Sequence, residues 1–182
     1  MKVLVYSSSP NTDGLTAACA HAALEGFREM GIQVESIRVN NFKISSCEAC
    51  DNGWGTCRES HLCEVLDDFQ TLHDQALKAD AYVFVTPVYW GDLSESMKAF
   101  TDRLRRCEAT RGEESGFAGK PVMIVAAAGG SGNGMITCLA SLERWIEHVR
   151  ARKWDFIPVN RWNREYKLKT IQAAAKAMAS QK

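Results

Sequence analysis

The chain lacks an excess of either charge. Its 22 basic residues are matched by 22 acidic ones, so no global field draws in nucleic acid or an anionic membrane. It lacks any apolar run approaching the ~20 residues of a bilayer-spanning helix. Its first residues read as a strand, without the basic leader and apolar core of a secretory signal. These absences lead us to expect a cytoplasmic protein with neither nucleic-acid nor membrane partners. No stretch has linker composition, and 182 residues, 46% of them hydrophobic, suffice for one core, so residues 1–182 read as one domain. The seven cysteines are odd in number, which in that compartment favours thiols or ligands over a disulfide framework. Basic residues gather only late, with Arg150, Arg152, Lys153, Arg161, Arg164, Lys167 and Lys169. That run suits a solvated face better than a dinucleotide phosphate.

Three familiar motifs are also missing. Cys138 to Arg144 has the spacing of a tyrosine phosphatase loop but falls inside an expected helix, where its thiol would lack the converging N–H groups that activate a nucleophile. Gly130-Ser131-Gly132-Asn133-Gly134 is not spaced as the dinucleotide fingerprint and lies outside the first βαβ unit. Gly119-Lys120-Pro121 lacks the rest of a triphosphate-binding loop.

What is present is a regular alternation. Val3 to Tyr6, Ala81 to Thr86 and Pro121 to Ala128 are unbroken apolar runs, as strands buried on both faces of a parallel sheet require. Ile32 to Val39 alternates and reads as an edge strand, and Trp154 to Val159 as a short last one. Helical periodicity fills Thr16–Met30, Leu66–Lys78, Ser94–Arg106, Met135–Arg150 and Tyr166–Met178. Five strands alternating with helices predict an α/β fold, a three-layer doubly wound parallel sheet of flavodoxin-like order 2-1-3-4-5. Ligands of such sheets bind beyond the carboxyl ends of strands one, three and four.

The loops expected there are unusual. Ser7-Ser8-Ser9-Pro10-Asn11-Thr12-Asp13-Gly14-Leu15-Thr16 offers hydroxyls, a glycine and a helix start, an anion-binding arrangement. Pro87-Val88-Tyr89-Trp90-Gly91 offers fixed backbone and aromatics for a flat heterocycle, although either aromatic alone would serve packing. Ala128-Gly129-Gly130, continuing to Gly134, lets backbone approach a ring closely. Together the three describe a flavin mononucleotide site. Ser9, Asn11, Gly14, Leu15, Thr16, Pro87, Val88, Tyr89, Trp90, Gly91, Ala128, Gly129, Gly130 and Gly134 are its candidate residues.

In the run Ser8 to Thr16, and in Thr86 to Gly91 followed by Ser94, Lys98, Phe100, Asp102 and Arg103, the chain resembles the flavodoxin-like NAD(P)H-dependent FMN reductases and multimeric flavodoxins. The resemblance extends to about Arg150. It implies bound FMN, NAD(P)H or a redox protein as electron donor, a small acceptor such as a quinone or flavin, and a homodimer or homotetramer. Asn11 and Leu15 depart from the arginine and asparagine of many members, which shifts phosphate binding toward backbone N–H groups and Thr16. No catalytic side chain is assigned, because the flavin does the chemistry.

The segment 40–64 is a loop holding Cys47, Cys50, Cys57 and Cys63. Thiolates so close in sequence suit a [4Fe-4S] cluster or zinc; inert thiols and a redox disulfide are the alternatives. Cys57 to Cys63 before Asp67-Asp68 resembles half of the motif of the family's iron–sulfur flavoprotein branch. Six residues separate Cys50 from Cys57, a longer spacer than that motif has. His61 reads as a solvated loop residue, and Cys19, Cys107 and Cys138 as small buried thiols.

Overall fold

The apolar runs become the centre of a sheet. In the computed structural model, which describes residues 1–181, β1 (Lys2–Ser7), β3 (Ala81–Pro87) and β4 (Pro121–Ala128) lie side by side. Edge strands β2 (Gln33–Arg38) and β5 (Arg152–Asn160) flank them in the parallel order 2-1-3-4-5. Alternate residues of each central strand feed different layers. Val3, Val5, Val83, Val85, Met123 and Val125 pack under α1 (Leu15–Glu29) and α5 (Arg164–Ala179). Leu4, Tyr6, Tyr82, Phe84, Val122 and Ile124 pack on the other face, against α2 (Phe69–Leu77), α3 (Glu95–Glu108) and α4 (Met135–His148). Burial on both faces is why these strands carry no polar alternation. The final residue of the expected domain, Lys182, lies outside the described residues.

β5 and α5 each begin two residues earlier than expected, and two further departures have a cause in side-chain contacts. The second helix begins at Phe69, three residues after the Leu66 expected from periodicity, and Leu66 is fully exposed. The reason lies in the two aspartates. Asp68 Oδ2 accepts from the Lys43 N–H at 2.7 Å, and the Asp68 N–H donates to the Lys43 carbonyl at 3.1 Å. Asp67 Oδ1 accepts from the Phe69 N–H at 3.0 Å and Oδ2 from Ser45. Both carboxylates therefore close the preceding loop instead of entering a helical turn. After α3, the expected loop opens with a 3₁₀ stretch, Ala109–Glu114. Its anchor is Glu108, which is fully buried and accepts from Ser115 Oγ, the Gly116 N–H and the His73 ring.

Candidate functional site

The register of the sheet brings the three unusual loops together. Ser7 pairs with Val85, and Pro87 with Ala127, so the ends of β1, β3 and β4 stand in a row. The first loop is fixed from below. The Ser8 N–H donates to the Val85 carbonyl at 3.2 Å, and Ser94 Oγ donates to Ser8 Oγ at 2.8 Å. Ser94 also caps α3, accepting from the Met97 N–H, while its own N–H donates to Thr86 Oγ1. With its amide assigned in the orientation that satisfies both ends, the Asn40 nitrogen donates to the carbonyls of Ser8 and Ser9, at 3.0 and 3.3 Å, and its oxygen accepts from Ser96 Oγ. Ser9 Oγ in turn accepts from the Asn11 N–H.

Beyond these supports the loop opens outward. Pro10 to Asp13 are exposed, Thr16 is buried, and no described side chain caps α1 at Gly14. The uncapped first-turn N–H groups and the helix dipole favour an anion there. Arg38, at the end of β2, donates through Nη2 to the Pro10 carbonyl at 3.2 Å and shares a cleft with Ser9, Asn11 and Thr12. A cation thus reaches the loop from the neighbouring strand, although position 11 is asparagine. Sequence reading missed Arg38, Asn40, Ser94 and Ser96 as partners, because their contacts span 28 to 88 residues or depend on the sheet register.

The second loop is braced by its own backbone, by the end of β4 and by α4, and it meets the third where Gly91 and Gly134 approach. The Val88 N–H donates to the Ala127 carbonyl, Tyr89 and Asp92 exchange N–H···O bonds of 2.9 Å, and Thr137 Oγ1 donates to the Gly91 carbonyl at 2.6 Å. A Cβ on Gly134 would stand 2.6 Å from Gly91 Cα, and Gly134 has φ of +77°. Only glycine meets both demands. A Cβ at Gly129 or Gly130 would meet nothing within 4 Å, so backbone borders open space there. Trp90 is fully exposed with φ of +51°, a conformation rare for a bulky residue, and Tyr89 is partly exposed. Neither aromatic is spent on the core. Leu15 and Val88, by contrast, are half-buried and pack on it. An uncapped helix start, a nearby guanidinium, bare backbone and unpacked aromatic rings fit the phosphate and ring of FMN.

The cysteine loop is held by the far half of α3. Arg103 reaches Ser45, Val65 and Asp67, Arg106 reaches Gly53, and the His61 ring bonds the Cys107 carbonyl. His61 is thus tied to the helix rather than standing free as a solvated residue. Cys47, Cys50, Cys57 and Cys63 are half-buried free thiols lining one largely enclosed cavity together with Glu64, Arg103 and Arg106. The loop also bends sharply, with positive φ at Ala49, Asp51, Asn52 and His61, conformations that each cost about 1–3 kcal/mol and collect at ligand sites. A hydrogen bond to the Glu64 carboxylate, aided by burial, pushes the Cys50 thiol up to about 11. Among the described residues no three cysteine, histidine or acidic groups converge on a single point. Four thiols around one space are the donor set of an iron–sulfur cluster. Cys19, Cys107 and Cys138 are buried, as expected of small core thiols.

Comparison with known proteins adds relatives to this geometry. A family model described as NADPH-dependent FMN reductase matches residues 1–154. The iron-sulfur flavoprotein of Methanosarcina thermophila is 30% identical over 103 residues, covering 57% of this chain and 52% of that protein. One from Archaeoglobus fulgidus is 34% identical over 107 residues, covering 59% and 52%. The chain thus spans about half the length of these curated relatives. Among solved structures, the NAD(P)H:quinone oxidoreductase of Methanothermobacter marburgensis superposes with a TM-score of 0.71 at 18% identity, over 100% of this chain and 98% of that one. At that identity the likeness concerns the fold.

Proposed function

The chain belongs to the NADPH-dependent FMN reductase family, and on that premise we propose that it is a flavin-dependent oxidoreductase. It binds FMN as one domain, takes electrons from NAD(P)H and passes them to a small acceptor such as a quinone or a free flavin. The observation that carries this reading is the close approach of Gly91 and Gly134, which holds the aromatic and polyglycine loops together at the sheet edge where the uncapped start of α1 also follows its strand. The N–H groups from Gly14 to Thr16 and the Ser9 hydroxyl hold the phosphate, with Arg38 as its counter-ion. Gly129 and Gly130 border the ring edge with backbone, and Tyr89 and Trp90 offer faces for stacking. FMN, when bound, supplies the hydride-accepting chemistry. No side chain at these loops is required as acid or base. The family resemblance also favours a homodimer or homotetramer.

A second reading is favoured by the four cysteines around one cavity. In it the loop carries an iron–sulfur cluster and the acceptor is a protein. The deciding experiment is the visible spectrum of anaerobically purified protein, with iron and acid-labile sulfide measured on the same sample and NADPH oxidation followed with a quinone. Resolved flavin bands without iron, and rapid turnover, support the first reading. Flavin bands over broad absorption with matching iron and sulfide, and slow turnover, support the second. Colourless protein that takes up no added FMN overturns both.

A further inference from the structure

Two arginines on α3, three residues apart, reach into the cysteine loop. Arg106 Nη1 donates to the Gly53 carbonyl at 2.6 Å, and its guanidinium lies 4.4 Å over the Trp54 ring. Arg103 goes deeper and is 1% exposed. Its Nη1 donates to Asp67 Oδ2 at 2.6 Å and to the Ser45 carbonyl at 3.2 Å, and Nη2 donates to the Val65 carbonyl at 3.2 Å. Its Cζ lies 4.3 Å from the centre of the Phe69 ring, and it shares the lining of one cavity with the Cys63 thiol. Both arginines line the same cavity as the four cysteines. Arg103 Nε is buried with no hydrogen-bond partner among the described residues.

A buried donor without an acceptor costs about 1–3 kcal/mol, and a buried guanidinium is retained only where negative charge offsets its desolvation. Asp67 supplies one such charge. Ionised thiolates would supply more. A structural staple alone would explain the bonds to Ser45 and Val65, but not a cation turned toward a cavity lined by thiols. We propose that Arg103 sets the reduction potential of the four-thiolate site, its positive charge favouring the more negative, reduced form. Asp67, paired with it, opposes that effect. Hydrogen bonds to sulfur and net charge are the protein's means of moving such potentials. The inference rests on the second reading, in which the loop holds an iron–sulfur cluster.

The test is a redox titration, monitored by electron paramagnetic resonance, of the full chain reconstituted with iron and sulfide. Wild type is compared with Arg103→Gln, Arg103→Lys and Asp67→Asn. In Arg103→Gln the reduced-to-oxidised ratio at a fixed potential should fall about tenfold, a shift of about 59 mV to more negative potential for one electron. Arg103→Lys should stay near wild type, Asp67→Asn should shift the opposite way, and the flavin couple should not move in any variant. Shifts of the same sign in Arg103→Gln and Asp67→Asn would mark loop disruption and overturn the proposal. Should Arg103→Gln not fold, Asp67→Asn decides: without a positive shift the proposal fails. Iron-loaded wild type with an unshifted Arg103→Gln overturns this proposal alone. Wild type that takes up neither iron nor sulfide overturns the second reading with it.

Discussion

Arg38 and Trp90 contribute little to the core and lie where the site is open, so their replacement separates binding from stability. Arg38 is half-buried and touches only the Pro10 carbonyl among the described hydrogen bonds. Its charge is partly screened by solvent, so a phosphate contact through it contributes about 1 kcal/mol rather than the larger share of a buried one. Arg38→Gln is therefore expected to weaken FMN binding about fivefold, read by fluorescence quenching, with the melting temperature unchanged. Trp90 gives the sharper contrast. Its side chain is fully exposed while its backbone has φ of +51°. Trp90→Gly relieves that strain at the cost of about 0.5–1 kcal/mol of unfolded-chain entropy. Stability by urea titration should stay within about 1 kcal/mol of wild type while FMN binding weakens. A large loss of stability would mean that Trp90 serves the core.

At the scale of elements, α3 joins the two candidate sites. Its cap, Ser94, bonds Ser8 under the phosphate loop, and Arg103 and Arg106 hold the cysteine loop nine and twelve residues further on. The loops above depend on glycine only where backbones meet. Gly134→Ala would put a methyl 2.6 Å from Gly91 Cα at a residue with φ of +77°. We expect a loss of about 2 kcal/mol or more in urea unfolding, together with loss of FMN. Gly129→Ala, facing open space, should stay within about 0.5 kcal/mol. If both glycines tolerate alanine equally, the loops do not meet as described. The contrast also marks how far the sequence could be read. Apolar runs such as Val83-Phe84-Val85 disclose buried strands, because burial on two faces leaves no polar alternation, and alternation with helices discloses a parallel sheet, with five strands the count of the flavodoxin-like order 2-1-3-4-5. The glycine-rich and hydroxyl-rich loops stand out by composition. The partnership of Arg38, Asn40 and Ser94 with the first loop leaves no local signature. Nor does that of Arg103 with Asp67, whose carboxylate reads as part of a helix start until Ser45 and Arg103 are seen to occupy it.

For the whole molecule, the charged groups that matter most to stability lie inside it rather than on its balanced surface. Burial works to raise the Asp67 carboxyl, but the Arg103 guanidinium, the Ser45 and Phe69 N–H groups and the Ser45 hydroxyl outweigh it and hold it well below the usual carboxylate range. Glu108, fully buried, is treated alike: desolvation pushes it up, and His73, the Gly116 N–H and Ser115 bring it below its ordinary value. A carboxyl depressed in the folded state stabilises the fold at any pH above its unfolded value. That contribution disappears as pH falls through the folded value. Unfolded aspartate and glutamate titrate near ~3.9 and ~4.3, so unfolding free energy should be level above about pH 5 and fall steeply below about pH 4. The two groups act on different parts of the chain. Asp67 closes the cysteine loop on α3, whereas Glu108 joins α2, α3 and the turn before β4 through His73, Ser115 and Gly116. Glu108→Gln should flatten the acid limb of the global transition, followed by far-ultraviolet circular dichroism. Asp67→Asn should flatten instead the acid-dependent exposure of Cys63 to a thiol reagent. If acid exposes Cys63 only as the sheet unfolds, the loop and the core are one cooperative unit, and Arg103 with Asp67 is part of what makes them so.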